Sequence, residues 1–163
     1  MLKKFNFSVL ALLATFIMLS NGCATSNYLK GMTPTGEKVY LGVVPIENTG
    51  AYKSYQQSPK TDVNKQQYLF QRLKDAPKDL EYYHDGNWYS WLEAYRGGMW
   101  LIRNRYQKGQ DTRQFLKKYV LRSETSNQLH LVRFPDGSIQ IGYDILINEL
   151  ELLEATINAK PAA

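Results

Sequence analysis

The sequence predicts a small α+β domain of about four helices with one or two short antiparallel hairpins. Several segments carry apolar residues at three- and four-residue spacing, which is typical of helices packed on a core. Two turn signals, Asp85-Gly86 and Asp136-Gly137, each lie between short runs of β-forming residues. The chain has 163 residues, of which 44% are hydrophobic and 21% charged. This length suits one domain, and this composition excludes wholesale disorder.

Four segments have the apolar spacing of helices. We predict helices over residues 62–75, 90–107, 111–121 and 144–157. Gly97 and Gly98 lie inside the second helix, where each glycine costs about 1 kcal/mol against alanine. Two adjacent glycines therefore indicate close backbone packing or a kink. Trp100 lies off the apolar stripe of the same helix, so we expect its ring to be exposed.

The two turn signals predict the hairpins. Residues 129–134 and 138–143 flank the second signal and form the clearest hairpin of the chain. Residues 80–84 form a short aromatic strand before the first signal. Residues 87–90 either return as a second strand or lead directly into the following helix.

The N-terminal residues have the pattern of a bacterial export signal. Lys3 and Lys4 precede the uncharged apolar run from Val9 to Leu19, which is shorter than the roughly 20 residues that span a membrane. Cys23, the only cysteine of the chain, follows directly after Gly22. This boundary resembles a lipobox, the site at which bacterial prolipoproteins are cut and acylated. The alternative is a plain secretory signal that leaves Cys23 as a free thiol.

The lipobox resemblance implies a location and a membrane partner. Residues 1–22 would be the signal peptide, and Cys23 would carry the acyl chains of an outer-membrane lipoprotein. Ala24 follows the cysteine instead of the aspartate that retains such proteins in the inner membrane, so we expect the domain to face the periplasm. A nucleic-acid partner is not expected there. One cysteine and two histidines offer little for a metal site, and we predict no metal and no cofactor.

The mature chain is predicted to begin with a tether. Residues 23–61 are assigned to the tether, in which residues 38–44 form either a short strand or an extended linker segment. Asn48 to Pro59 is polar, so we expect irregular structure there. The compact domain covers residues 62–158, and residues 159–163 form a tail.

The motif around the first turn resembles a family of small secreted bacterial proteins of unknown function. The resemblance covers about residues 66–153 and is carried by Tyr82 to Tyr89 (YYHDGNWY), Glu93-Ala94, Phe115-Leu116, Ser123 to Ser126 and Asp136-Gly137. His84-Asp85 stands where the family has Arg-Asn. Gly97-Gly98 and Leu101 stand where the family has a His-Leu pair and a lysine. The resemblance implies the architecture and no activity.

The two histidines are the candidates for acid–base chemistry. His84 follows Glu81 by three residues and is adjacent to Asp85, but we expect the neighbouring side chains to point in different directions at the turn. His130 lies on a strand and is predicted to be half-exposed, without a partner. The sequence has none of the common nucleophile, phosphate-loop or zinc-protease motifs, so it predicts no catalytic residue.

A basic segment is the candidate binding surface. Residues 100–122 contain seven Lys and Arg residues and one Asp, whereas residues 144–154 contain four acidic residues and no basic residue. The candidate ligand-binding residues are Trp100, Arg103, Arg105, Arg113, Lys117 and Lys118. They would bind an anionic envelope component or an envelope protein. The alternative is that these charges face water or neutralise one another across packed helices.

These observations favour one function and leave two alternatives open. The favoured function is a lipid-anchored periplasmic binding or structural module of the cell envelope, without catalysis. The first alternative is an envelope hydrolase that uses a histidine–carboxylate pair. The second is a lipoprotein that blocks an incoming effector.

Overall fold

The computed structural model describes residues 28–159, so the predicted signal peptide, Cys23 and residues 160–163 lie outside the described residues. Within this range, five α-helices and a four-stranded antiparallel sheet confirm the predicted α+β class. The strands are β1 (Glu81–His84), β2 (Asn87–Ser90), β3 (Leu131–Arg133) and β4 (Ile139–Ile141). The helices are α1 (Gly50–Gln56), α2 (Asp62–Gln71), α3 (Trp91–Arg105), α4 (Thr112–Tyr119) and α5 (Gly142–Ala159). Two 3-10 turns cover Ile46–Asn48 and Arg72–Lys74.

The sheet has two ends that matter for the site. Its strand order is β2-β1-β3-β4, and β1 pairs with β3 so that Tyr83 faces Leu131 and Glu81 faces Arg133. The β1–β2 turn and the start of β3 therefore lie at one end, which we call the histidine end. The start of β1, the end of β3 and the β3–β4 turn lie at the opposite end. We call this the entry end.

The first described residues join the sheet at the entry end. The Leu29 N–H donates to the Ile139 carbonyl (3.0 Å), and the Ile141 N–H donates to the Leu29 carbonyl (2.9 Å). This pairing is parallel to β4, which runs from the entry end to the histidine end. The chain thus comes into the domain beside the β3–β4 turn.

The predicted tether is wrong from residue 28 onward, because this segment is part of the packed core. Leu41, Ile46, Tyr52 and Tyr55 are buried, and α1 forms where irregular structure was expected. The Thr49 side chain caps α1 by accepting a hydrogen bond from the Tyr52 N–H. The helix has only seven residues, which is too short for its apolar spacing to stand out among polar neighbours.

The predicted short strand over residues 38–44 does not form. Lys38 makes a single antiparallel bridge to Met32. Beyond it, the backbone is held by side chains instead of a neighbouring strand: the Val39 carbonyl accepts from Asn148 and the Leu41 N–H donates to Glu149. These partners lie on α5, more than 100 residues away in sequence, and residues 38–44 alone gave no sign of them.

A buried ion pair fastens this segment to the helices. Arg72 and Glu149 are both fully buried, with Arg72 Nε 2.8 Å from Glu149 Oε2. The Arg72 guanidinium also donates to the Val43 carbonyl and to the Asp75 carboxylate. Burial acts to lower the pKa of Arg72, but the hydrogen bonds and the negative charge of Glu149, together with Tyr68 and Asp75, outweigh it, and the pKa is raised. We call Arg72, Asp75 and Glu149 the arginine cluster.

The paired glycines predicted either close backbone packing or a kink. Close packing is confirmed at Gly98. A Cβ atom at Gly98 would lie 2.1 Å from Phe70 Cδ1, whereas a Cβ atom at Gly97 would meet nothing within 4 Å. Helix α3 can therefore lie directly against α2. The predicted apolar stripe of α3 is only partly buried: Ile102 is 6% exposed, but Leu92 is 36% exposed.

Candidate functional site

The two histidines meet at the histidine end of the sheet. His84 is the last residue of β1, and His130 comes directly before β3, so the antiparallel register places them side by side. His84 Nδ1 lies 2.9 Å from His130 Nε2, and the ring centroids are 4.9 Å apart. The prediction that His130 is half-exposed and without a partner is wrong, since only 4% of this residue is exposed.

A chain of hydrogen bonds fixes the tautomers of both neutral rings. His130 Nδ1 lies 3.0 Å from the Val120 carbonyl oxygen, which can only accept a hydrogen bond. The His130 proton is therefore on Nδ1, and its Nε2 accepts from His84 Nδ1–H. This assignment leaves His84 Nε2 with a lone pair. The side chain of His84 is 42% exposed, and this nitrogen is the last atom of the series of hydrogen bonds that begins at the Val120 carbonyl.

Asp85 faces the open nitrogen. Its Oδ2 lies 3.5 Å from His84 Nε2, so the prediction that the two side chains diverge is wrong. The turn brings them together because Asp85 adopts a φ of 46° and Gly86 a φ of 88°, the backbone expected of a tight hairpin. Hydrogen bonds from the hydroxyls of Ser123 and Ser126 lower the pKa of Asp85, which keeps a carboxylate beside the histidine.

Burial controls the protonation of His130. Desolvation lowers the pKa of His130, because the charged imidazolium would lose its hydration inside the domain. The Val120 carbonyl acts in the opposite direction by accepting from the ring, but it does not outweigh the burial. His130 is therefore the neutral acceptor of the pair.

The histidine pair lines an open cleft of about 350 Å³ between the sheet, α3 and the loop after α4. The residues that line this cleft, which we call the histidine cleft, are Tyr82, His84, Trp100, Leu101, Tyr119, Ser123, Glu124, Thr125 and His130. Trp100 is 52% exposed. This confirms the prediction that its side chain, which lies off the apolar stripe of α3, is exposed. Sequence reasoning missed Ser123, Glu124 and Thr125 as cleft residues.

The predicted basic residues do not form one surface at the cleft. Arg105 lies at the cleft, with its Cζ 6.0 Å from the centroid of the Trp100 ring. Its Nη2 lies 3.4 Å from Glu124 Oε2. Arg113 lies elsewhere and pairs with Glu154 on α5 at 2.7 Å. The interpretation that charges neutralise one another across packed helices therefore holds for Arg113, whereas Arg105 pairs with a carboxylate in a loop.

The other three basic candidates are exposed. Arg103 lies on α3, and Lys117 and Lys118 lie on α4. The Lys118 ammonium lies 4.9 Å from the centroid of the Tyr119 ring, and Tyr119 lines the cleft. These residues have no acidic partner among the ion pairs of residues 28–159, so an anionic partner at this surface stays a prediction.

Comparison of the chain with protein-family models, curated proteins and solved structures finds no match. The resemblance to secreted bacterial proteins thus stays a prediction from the motif. Across residues 28–159, no group of three or more His, Cys, Asp or Glu side chains is arranged to hold a metal ion. None of the helices in that range has the length and apolar character needed to cross a membrane.

Proposed function

We propose that this protein is a lipid-anchored binding module of the bacterial cell envelope. Acyl chains on Cys23 would hold it at the outer membrane, with the domain in the periplasm. The histidine cleft would bind a small polar ligand without changing it. The observation that carries this proposal is the open cleft that is lined by both the exposed Trp100 and the partly exposed His84.

The shape and lining of the cleft favour a ligand rather than a structural role. Most large apolar side chains of the described residues are buried, but Trp100 is more than half exposed at the mouth of the cleft. His84 keeps an unused acceptor, although its partner His130 is fully engaged. Binding sites typically combine an aromatic surface with a few polar groups that point to the same place.

The polar groups of the cleft favour a hydroxyl-rich, uncharged ligand. Glu124 and His84 can accept hydrogen bonds, and the Thr125 hydroxyl can both donate and accept. Among the described residues that line the cleft none is a lysine or an arginine, and Arg105 beside the cleft pairs with Glu124, so the lining does not favour a strongly anionic ligand. A sugar ring carries hydroxyls on its edge and C–H groups on its face, which suit the polar groups and the Trp100 ring. The proposed ligand class is therefore a saccharide.

The anchor is tested by the intact mass and membrane fractionation of the wild type beside Cys23→Ser. The proposal expects an acylated mass and recovery with membranes, both lost in the variant. An unmodified wild-type chain recovered in the soluble fraction would contradict the anchor and leave Cys23 as a free thiol.

The ligand is tested by titrating the acylated chain, held in detergent micelles, with N-acetyl-chitotetraose as the probe. We expect a saturable change in tryptophan fluorescence that is lost in Trp100→Ala. Trp88→Phe is the matched control, because Trp88 lies on β2, where it packs against Tyr83 and Arg133 away from the cleft. A response of equal size in Trp100→Ala, or none in the wild type, would count against the proposal.

A second candidate function, hydrolysis, is favoured by the geometry of His84 and Asp85. In the neutral pair His84 Nε2 keeps a lone pair that could accept a proton, and His130 holds the ring in that tautomer. The Asp85 carboxylate would then stabilise the imidazolium that forms. The test is turnover of chromogenic glycosides, esters and phosphate esters by the wild type and His84→Gln. If His84→Gln abolishes the turnover and the control variant Arg113→Gln retains it, the protein is a hydrolase and not a binding module.

A further inference from the structure

We propose that the entry end of the domain docks on the surface of the bilayer that carries the anchor, with Val43 and Val44 in contact with lipid. The histidine cleft would then face away from the membrane, toward the periplasm. This inference rests on the proposed function, because it needs the acylated Cys23. It adds an orientation and a lipid contact surface that the anchor alone does not specify.

The topology places the chain entry and the cleft at opposite ends of the sheet. The pairing of Leu29 with β4 runs parallel, so Tyr28, the first described residue, lies on the entry-end side of this pairing. The cleft lies at the histidine end, where β1 stops and β3 begins. An anchor attached upstream of Tyr28 would therefore hold the entry end, and not the end that carries the cleft, near the membrane.

The distance between the anchor and the domain is short. Five residue steps separate Cys23 from Tyr28, which is the first described residue. A fully extended chain of this length spans at most about 18 Å. The entry end therefore stays within this distance of the lipid surface, and a weak contact between the two is enough. The anchor makes the contact intramolecular, which raises its effective concentration.

The entry end carries the apolar surface that such a contact needs. Val43 is 67% exposed and Val44 is 48% exposed, although both are large aliphatic residues adjacent in sequence. Val43 borders an open groove whose other lining residues include Val39, Pro77 and Phe134. Pro77 precedes β1 and Phe134 follows β3, so this groove lies at the entry end. Adjacent exposed aliphatic side chains that border an apolar groove are typical of an interaction surface.

The lysine on this groove suits a lipid partner. Lys78 lines the groove, and its ammonium lies 4.0 Å from the Trp91 ring centroid. A lysine of this kind keeps its charged end at headgroup level while its stem covers apolar surface. The nearby Asp75 carboxylate is occupied by Arg72, with Arg72 Nη1 3.1 Å from Asp75 Oδ2. The apolar residues can therefore approach the acyl boundary while Lys78 stays near lipid phosphates.

The test places an environment-sensitive fluorophore at Val43 of the acylated protein. Cys23 is the only cysteine of the chain, so acylation leaves the cysteine of Val43→Cys as the single reactive thiol. The labelled protein is reconstituted in vesicles of phosphatidylethanolamine and phosphatidylglycerol that contain nitroxide-labelled lipid. The matched control is Asn87→Cys, which is exposed on the β1–β2 side of the histidine end.

We expect a blue-shifted emission and strong nitroxide quenching at position 43, with neither effect at position 87. The quenching should persist in about 1 M salt, where the screening length is only about 3 Å, because the contact is mainly apolar. An acylated protein with no quenching at position 43 would overturn the docking inference and leave the anchor intact. Equal quenching at both positions would overturn the orientation. An unacylated chain would overturn the proposed anchor and this inference together.

Discussion

The arginine cluster and the histidine pair are two polar arrangements in the same domain. They differ in whether a polar atom is left without a hydrogen-bond partner. Arg72 and Glu149 are completely buried, and their polar atoms bond to each other, to Asp75 and to the backbone of residues 41 and 43. The histidine pair has one buried member, His130, and one member, His84, that reaches solvent.

This difference separates a structural cluster from a candidate site. A buried charge is tolerated only when its partners are complete, and the arginine cluster meets this condition. His84, the exposed member of the histidine pair, lines an open cleft, so a further partner can come from outside the protein. The comparison predicts that changes in the first cluster alter folding, whereas changes at the open end of the second alter binding.

Glu149→Gln should have the largest effect on stability. The variant leaves the Arg72 charge buried without its main partner and weakens the bond to the Leu41 N–H. We expect a loss of about 3–5 kcal/mol in the free energy of unfolding, measured by chemical denaturation. Glu151→Gln is the control, since Glu151 pairs with Lys38 at the surface and should contribute less than about 1 kcal/mol. Similar losses in both variants would contradict the structural role of the arginine cluster.

Gly98→Ala should disturb the contact between α2 and α3 without changing a residue that lines the histidine cleft. Its methyl group would overlap the Phe70 ring, which forces α2 and α3 apart. We expect a loss of about 1–3 kcal/mol in the free energy of unfolding. Gly97→Ala should instead gain up to about 1 kcal/mol, because its methyl group meets open space and alanine favours helix. If thermal unfolding ranks the two variants in the reverse order, the close packing of α2 and α3 is wrong.

The buried histidine predicts a stability change below neutral pH. The pKa of His130 is lower in the folded state, so between this value and the unfolded value of about 6.5 the unfolded chain binds more protons. Stability should therefore fall as the pH falls below about 6.5, by no more than about 1.4 kcal/mol per pH unit. Denaturation of the wild type and His130→Gln across this range measures the effect. A variant with the same pH slope as the wild type would show that His130 does not cause it.

Trp100→Ala should have the smallest effect on folding and a large effect on binding. An exposed surface position of this kind contributes within about 0.5 kcal/mol of zero to stability. We expect an unchanged unfolding midpoint together with loss of the response to N-acetyl-chitotetraose. A clear drop in stability would instead assign the ring to the core and remove it from the site.

The sequence predicted the parts of the fold that depend on local signals. The Asp85-Gly86 turn, the start of α3 near residue 90 and the exposed Trp100 follow from residue type and spacing over a few positions. The N-terminal packing did not follow, because Leu41 and Val43 are held by Glu149 and Arg72, which are far away in sequence. Local patterns cannot indicate such partners.

The candidate site was predictable only in pieces. His84, Asp85 and Trp100 were noticed singly, but their meeting depends on which strands pair. The pairing of β1 with β3 spans more than 40 residues, and a shift of this register by one residue would send His130 to the other face. The loop that contains Ser123 and Ser126 reaches Asp85 only because the sheet brings it there.

The proposed difference is that the histidine pair can still bind a ligand, whereas the polar atoms of the arginine cluster are already bonded within the protein. The most direct measurement follows the side-chain ¹⁵N NMR signals of the acylated chain in micelles while N-acetyl-chitotetraose is added. We predict saturable shifts at His84 Nε2 and Trp100 Nε1, and none at Arg72 Nε. Unchanged His84 and Trp100 signals, or shifts of the same size at Arg72, would contradict the account.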